Sequence, residues 1–274
     1  MFDVLELGAE GWLRNGEPWQ PTRPFYGVMG NPIDHSLSPA MQNAALMERE
    51  IDAEYLAMRL EPGMLRHLKD SEASRLLAGF NVTAPLKEAV AALCDGRTDQ
   101  ARDTGAVNTV RLEDGTWLGH NTDSGGILTV LSQGWPAEGP PGRAVVLGAG
   151  GSARAAVDAL LRWEVPTVEV HNRSRAGRDR IGRWLSGRGL ADRVKTVPLA
   201  AGAEPVPAEP TVWICCLAAG VEALPYLPVG SGDDRSLLLD LRYGSQLPAS
   251  EPPLGFIHLD GLPVLLMQGG LSFA

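Results

Sequence analysis

The chain has 274 residues, 44% of them hydrophobic and 21% charged, with a net charge of −9. At roughly 100–200 residues per domain, this length predicts two domains, each with enough apolar material for a core of its own. The acidic balance excludes a basic face for nucleic-acid phosphates, and it leaves any acidic small molecule dependent on local donors.

Other broad classes fall away as well. The three cysteines, Cys94, Cys215 and Cys216, include an adjacent pair and form no disulfide framework, which fits a reducing compartment. The opening MFDVLELGAE carries acids where a secretory leader needs basic residues and an apolar run. No stretch reaches the ~18 apolar residues of a membrane span. A cytoplasmic protein without a metal site is expected, since the histidines show no ligand spacing.

In chain order, residues 1–24 read as an N-terminal extension, with Asn15-Gly16 between apolar flanks as a hairpin signal. Phe25–Met29 reads as a strand, and Ser38-Pro39 as the opening of a helix with serine at the cap. Strands follow at Tyr55–Leu60 and Gly79–Val82, with a short helix at Met64–Lys69 and another after Pro85. Val107–Leu112 and Thr116–Leu118 flank Asp114-Gly115, a second hairpin signal, and Thr122–Leu131 has a helical pattern. The Gly- and Pro-rich stretch Gly134–Gly142 leads into a buried strand at Arg143–Leu147, a helix at Ala153–Trp163 and a strand at Thr167–His171. Leu199–Pro210 reads as a loop, and helix–strand alternation is expected to continue to about His258. Such alternation predicts a parallel sheet with helices on both faces.

The segment Gly148-Ala149-Gly150-Gly151-Ser152-Ala153 follows a strand and opens a helix. That order is the signature of a dinucleotide site: Gly148 permits the tight turn, Gly150 admits the pyrophosphate to the backbone, and Ala153 is the small residue for helix–strand packing. The free N–H groups and positive dipole end of the helix complete the anion site. At the end of the next strand the chain reads Asn172-Arg173-Ser174-Arg175, with Arg178 shortly after. An acid there would favour NAD, whereas arginines favour the 2′-phosphate of NADP, so NADP is the expected cofactor. Glu169 lies too early in the strand to reach the ribose.

The first domain holds Asn31-Pro32-Ile33-Asp34-His35-Ser36-Leu37-Ser38-Pro39, Asn81-Val82-Thr83-Ala84-Pro85-Leu86-Lys87, Gly105-Ala106-Val107-Asn108-Thr109 and Asn121-Thr122-Asp123. Each places polar side chains at a strand end or helix start, where open α/β sheets bind ligands, and two hydroxyls two residues apart suit one small anionic group. In this order, and with the G-A-G-G and N-R-S segments, the chain resembles the shikimate dehydrogenase family from about Tyr26 to Gln268. The resemblance implies a two-domain α/β fold: an N-terminal substrate domain at 25–122 plus about 258–274, and a Rossmann-type doubly wound dinucleotide-binding domain at 123–257. It implies hydride transfer between NADP(H) and a ring hydroxyl of shikimate, giving 3-dehydroshikimate or the reverse, in an aromatic biosynthetic setting. Ser36 and Ser38 would hold the substrate carboxylate with help from Tyr243. Thr83, Asn108 and Gln268 would hold ring hydroxyls, Gly220 and Gly261 would lie beside the cofactor, and Lys87 and Asp123 would be the catalytic pair. Lysine alone is a poor base at neutral pH, whereas a neighbouring carboxylate can orient the amine and share its proton, so the base is not assigned to either member. The partner is a small hydroxy acid, and the assembly a monomer or homodimer.

The chain departs from the family pattern in three places. Cys215-Cys216-Leu217-Ala218-Ala219-Gly220 keeps only the glycine of an N-x-T-x-x-G-like segment. Pro263 replaces a glycine at the start of the helix carrying Gln268, a position where proline is accepted. The sequence stops at Ala274, where family members usually continue with a helix that returns to the first domain. A quinate or amino-shikimate dehydrogenase and a non-catalytic ligand-sensing homologue are the alternatives. Methylene-tetrahydrofolate dehydrogenases share the layout but lack the S-x-S pair.

Overall fold

The computed structural model describes residues 3–72, 75–200, 209–218, 221, 223–227, 235–247 and 256–274. They form two compact units, Met1–Thr122 with Gly269–Ala274 and Asp123–Gln268.

The first unit contains β1 (Val4–Gly8), β2 (Gly11–Arg14), β3 (Glu17–Pro18), β4 (Phe25–Gly30), α1 (Ser38–Glu48), β5 (Glu54–Arg59), α2 (Leu65–Asp70), β6 (Leu77–Val82), α3 (Lys87–Leu93), β7 (Gly96–Arg97), α4 (Asp99–Thr104), β8 (Thr109–Glu113) and β9 (Thr116–His120). The sheet order is β3-β2-β1-β5-β4-β6-β8-β9-β7. β4 pairs in parallel with β5 and β6, and β8 runs antiparallel to β6. Both hairpin signals form turns with two left-handed residues: Asn15 and Gly16 at φ 53° and 87°, Asp114 and Gly115 at φ 49° and 76°. That geometry matches the strand twist and is tolerated best by Asn, Asp and Gly.

Residues 3–24 are not an appendage. β1 pairs in parallel with β5, and Leu5 and Trp12 are buried in the same core cluster as Phe25, Met58 and Trp117. The alternation Val4-Leu5-Glu6-Leu7 is itself a strand pattern, and its partner lies some fifty residues away, out of reach of local reading. Ser38 is the first helical residue of α1 rather than its cap; Leu37 stands at the cap without a side-chain bond. Ser36 serves the helix start instead, its Oγ accepting the Ser38 N–H at 3.3 Å.

The second unit contains α5 (Asp123–Gly134), β10 (Arg143–Leu147), α6 (Gly151–Arg162), β11 (Thr167–Asn172), α7 (Arg175–Gly187), β12 (Val194–Pro198), β13 (Thr211–Cys215), β14 (Ser236–Asp240), β15 (Phe256–Leu259) and α8 (Leu262–Phe273), whose last residues group with the first unit. All pairings are parallel, in the order β12-β11-β10-β13-β14-β15. Counted within the unit this is 3-2-1-4-5-6, the doubly wound dinucleotide-binding order. α6 presents small residues to the sheet: Ala153, Ala155, Ala156 and Ala159 are fully buried. The expected 258–274 segment does not belong wholly with the substrate half. β15 is registered against β14, and Val264 is buried in the core of the second unit. Among the described residues between β13 and β14, and between β14 and β15, there is a single 3-10 turn each; the rest of these connections, where alternation to about His258 was expected, lies outside the described residues. The Leu199–Pro210 loop lies mostly outside the described residues. Among the described residues no helix is long and apolar enough to cross a membrane.

Two outcomes follow from the packing. Trp12→Ala should destabilise the protein by about 3–5 kcal/mol, the usual cost of removing a buried aromatic, measured by denaturant unfolding; a loss under about 0.5 kcal/mol would show 3–24 to be an appendage after all. Burial pushes the Cys94 and Cys215 thiols up to about 11. At pH 8 only about one thiol in a thousand would then be ionised at either site, so alkylation of both should be slow in native protein and fast in denaturant.

Candidate functional site

The first sheet collects its polar residues at one end. β4 and β6 are parallel, so the loops leaving them start side by side; β8 is antiparallel to β6, so its beginning lies at the same end. The loop after β4 holds Ser36 and leads into α1 at Ser38, both only 7% exposed. Its first peptide, Asn31-Pro32, is cis, as is Ala84-Pro85 in the loop after β6. Thr83 follows β6 directly, its N–H donating to the Met29 carbonyl at 2.8 Å. A side chain at Gly30 would collide with the Thr83 methyl, so glycine there lets the two loops meet. Lys87, half-buried, is the first residue of α3, and its carbonyl accepts the Val107 N–H at 3.0 Å. That bond brings Asn108 beside it in the chain.

Asn108 is 2% exposed and is the hub of a polar network. Its Nδ2 donates to Thr122 Oγ1 at 2.9 Å, and its Oδ1 accepts the Thr122 N–H at 2.9 Å and the Thr109 hydroxyl at 3.0 Å. Thr109 Oγ1 in turn accepts from Asn81 Nδ2 at 3.0 Å, and Asn81 Oδ1 accepts the Tyr55 hydroxyl at 2.6 Å. Burial raises the Tyr55 hydroxyl well above its ordinary pKa, which keeps it a donor. The network fixes Thr122, and Asp123 is the next residue. Ser36, Ser38, Thr83, Lys87 and Asn108 therefore gather at one sheet end. A separate cavity of about 320 Å³ in this unit, lined by Tyr26, Tyr55, Asn81, His120 and Phe273 among others, includes none of these five.

In the second unit Asp123, half-buried, opens α5. Gln268 of α8 lies against the same turn: a Cβ on Gly126 would stand 3.0 Å from both the Gln268 Cβ and its backbone nitrogen. Gly126 is thus the residue that lets Gln268 approach one helical turn from Asp123. α8 starts intact despite Pro263, and the Asp260 carboxylate accepts the Leu262 N–H at 3.0 Å.

The glycine turn has the features an anion site needs. Gly148 has φ 116°, and a Cβ there would stand 2.8 Å from the Cys216 carbonyl oxygen. Gly150 caps α6 without a side-chain bond, and nothing lies within 4 Å of where its Cβ would be. The first N–H groups of α6, at Gly151, Ser152 and Ala153, thus start beside open space next to Ala149 and Gly150. This backbone fits a pyrophosphate.

After β11, Ser174 caps α7 through its Oγ, which accepts the Gly177 N–H at 3.1 Å; Asn172 Nδ2 donates to Ser174 O and Oγ at 3.2 Å each. Arg173 and Arg175 are exposed, whereas Arg178 turns inward and donates to the Asn172 and Arg173 carbonyls at 2.8 and 3.0 Å. Arg178 thus shapes the loop through Nη1, and it also lines an open cavity beside Arg175 and Arg183. Glu169 is occupied by Arg143 at 3.0 Å and His171 at 2.9 Å. Burial pushes its carboxyl up, but these hydrogen bonds outweigh burial and hold it below the usual range.

Arg242, 3% exposed, carries no sequence signal that sets it apart from a surface arginine. It pairs with buried Asp240 through Nε at 2.9 Å and Nη2 at 2.6 Å, and Nη1 donates to the Ala218 and Val221 carbonyls at 3.3 and 2.5 Å. It braces the Cys215–Ala218 part of the altered segment. Gly220 itself lies outside the described residues. Tyr243 follows Arg242, half-buried, and a side chain at Gly261 would collide with the Leu241 carbonyl. Among the described residues no group of three or more His, Cys, Asp or Glu side chains could hold a metal ion.

These arrangements accord with three comparisons. The model of the shikimate dehydrogenase substrate binding domain matches residues 28–110. A shikimate dehydrogenase (NADP(+)) of Anaeromyxobacter sp. (strain Fw109-5) is 36% identical over 255 residues, covering 91% of this chain and 89% of the relative. The structure of shikimate 5-dehydrogenase from Thermus thermophilus in complex with NADP(H) and shikimate superposes with a TM-score of 0.68 at 30% identity, over 91% of this chain and 92% of that one. A 5-ketofructose reductase of Gluconobacter sp. strain CHM43 superposes with a TM-score of 0.73 at 26% identity, over 92% of each. On the extent and identity of these matches, the chain belongs to the shikimate dehydrogenase family.

Proposed function

We propose that this protein is an oxidoreductase that interconverts shikimate and 3-dehydroshikimate with NADP(H). The observation that carries the reading is the gathering of Ser36, Ser38, Thr83, Lys87 and Asn108 at one sheet end, in a chain 36% identical to a relative of that activity. Bound cofactor supplies or accepts the hydride. The chain's own residues bind the acid and manage the hydroxyl proton. Ser36 and Ser38 hold the carboxylate, aided by Tyr243, while Thr83, Asn108 and Gln268 hold ring hydroxyls. Lys87 and Asp123 stand at the reacting oxygen, taking its proton as hydride leaves the carbon and returning it in the reverse direction. Gly148–Ala153 hold the pyrophosphate, and Asn172, Arg173, Ser174 and Arg175 the adenosine 2′-phosphate, with Gly220 and Gly261 beside the nicotinamide. The net charge of −9 speaks against a nucleic-acid partner, the three free cysteines fit a reducing, cytoplasmic setting, and we place the protein there as a monomer or homodimer.

The likeness to a 5-ketofructose reductase keeps a second substrate in view, because the same fold serves another polyhydroxylated carbonyl in that protein. Spectrophotometric reduction of NADP⁺ and NAD⁺ with shikimate, quinate and fructose separates the readings. Turnover with shikimate and NADP⁺ is expected; turnover with none would favour a ligand-sensing homologue.

The roles predict distinct kinetic signatures. Lys87→Ala should lower kcat by at least about 10²-fold with a smaller change in KM, the mark of a group acting in the transition state. Near-wild-type kcat in that variant would refute the assignment. Arg173→Ala should raise KM for NADP⁺ far more than for NAD⁺, since a 2′-phosphate contact exists only in the former; equal weakening of both would remove Arg173 from cofactor choice.

A further inference from the structure

We infer that Ser124 and Asp158 form a positioning pair that fixes Asp123 relative to the glycine turn. The inference rests on the catalytic role proposed for Asp123. Ser124 is fully buried, and its Oγ donates to Asp158 Oδ2 at 2.6 Å. Asp158 is 4% exposed and sits two turns into α6. Its other oxygen receives Arg188 Nη1 at 3.4 Å, and Arg162 Nη1 donates to Ser124 Oγ at 3.4 Å.

Stability alone does not account for this arrangement. A buried carboxylate pays heavily in lost hydration, and a well-packed apolar pair would join two helices at least as strongly. A hydrogen bond adds direction. Successive residues of a helix point about 100° apart, so pinning Ser124 sets the azimuth of Asp123 next to it. The other end of the bond is on α6, the helix whose N-terminus begins at the glycine turn. One buried contact therefore ties the carboxylate that handles the proton to the backbone that would hold the dinucleotide. Gly126, two residues after Ser124, adds Gln268 to the same rigid turn.

A double-mutant cycle tests the pair, with kcat, KM for shikimate and NADP⁺, and the melting midpoint measured for each protein. Ser124→Ala should lower kcat by about 10- to 100-fold, as misplacement of a reacting group does. Both KM values should stay within about twofold of wild type. In an Asp123→Asn background the same substitution should cost nothing further. Asp158→Asn keeps the shape and an acceptor for the Ser124 hydroxyl, so its kcat should lie between wild type and Ser124→Ala; it also carries the cycle if Ser124→Ala fails to fold. A lowered melting midpoint with unchanged kcat, or an equal fall in kcat in both backgrounds, would overturn the positioning role. If Asp123→Asn itself turns over at the wild-type rate, the role of Asp123 fails and this inference with it. A crippled Asp123→Asn beside an unaffected Ser124→Ala would overturn the positioning role alone.

Discussion

Backbone hydrogen bonds that run one or two residues beyond the strand ends set the loops of the candidate site. In the second unit Gly148 N–H reaches the His171 carbonyl at 2.8 Å, Cys216 N–H reaches Leu147 at 2.8 Å, Leu241 N–H reaches Cys215 at 3.0 Å and Gly261 N–H reaches Arg242 at 2.8 Å. The first unit repeats the device, with Thr83 N–H on Met29 at 2.8 Å and Asn108 N–H on His120 at 3.0 Å. Strands such as β13 and β14 are buried from end to end, so polar side chains have room only where the strands stop. The extended ladder makes those stopping points rigid. It gives the loops fixed starting directions before any side chain contributes.

Much of this was legible in the sequence because the signals are local. A glycine turn after an apolar strand, Asn-Gly and Asp-Gly between apolar flanks, and short polar motifs at strand ends all follow from backbone chemistry within a few residues. What was not legible depends on distant partners. Val4–Gly8 has a strand pattern, but only its pairing with β5 makes residues 3–24 part of the core. Likewise nothing around Val264 says that it packs into the core of the second unit rather than the first. Ser38 looks like a helix cap by residue type, yet Ser36 takes that task because the chain turns two residues earlier. The burial of Arg242 and Asp158 was equally hidden, since a charged residue in a sequence reads as a surface residue until its counter-ion is known.

The departures at Cys215–Gly220 gain a physical reading from Arg242. The usual polar side chains of that segment are replaced by Cys215, fully buried, and by apolar neighbours. Arg242 donates to the carbonyls of Ala218 and Val221 and to the Cys215 sulfur at 3.4 Å. A single guanidinium, neutralised by Asp240, organises the backbone through its carbonyls. Cys215–Ala218 therefore keeps a defined path with few polar side chains of its own.

The nine-stranded sheet of the first unit ends at β3 on one side and β7 on the other, each two residues long, and Pro18 in β3 has no N–H to offer. A sheet edge of this kind presents almost no row of unpaired backbone groups on which another chain could add a strand. The N-terminal hairpin thus does more than fill the core: it shortens a six-residue edge at β5 to a stub. A solution crowded with partly folded chains finds nothing there to extend, and resistance to edge-to-edge aggregation is built into the connectivity rather than into surface charge.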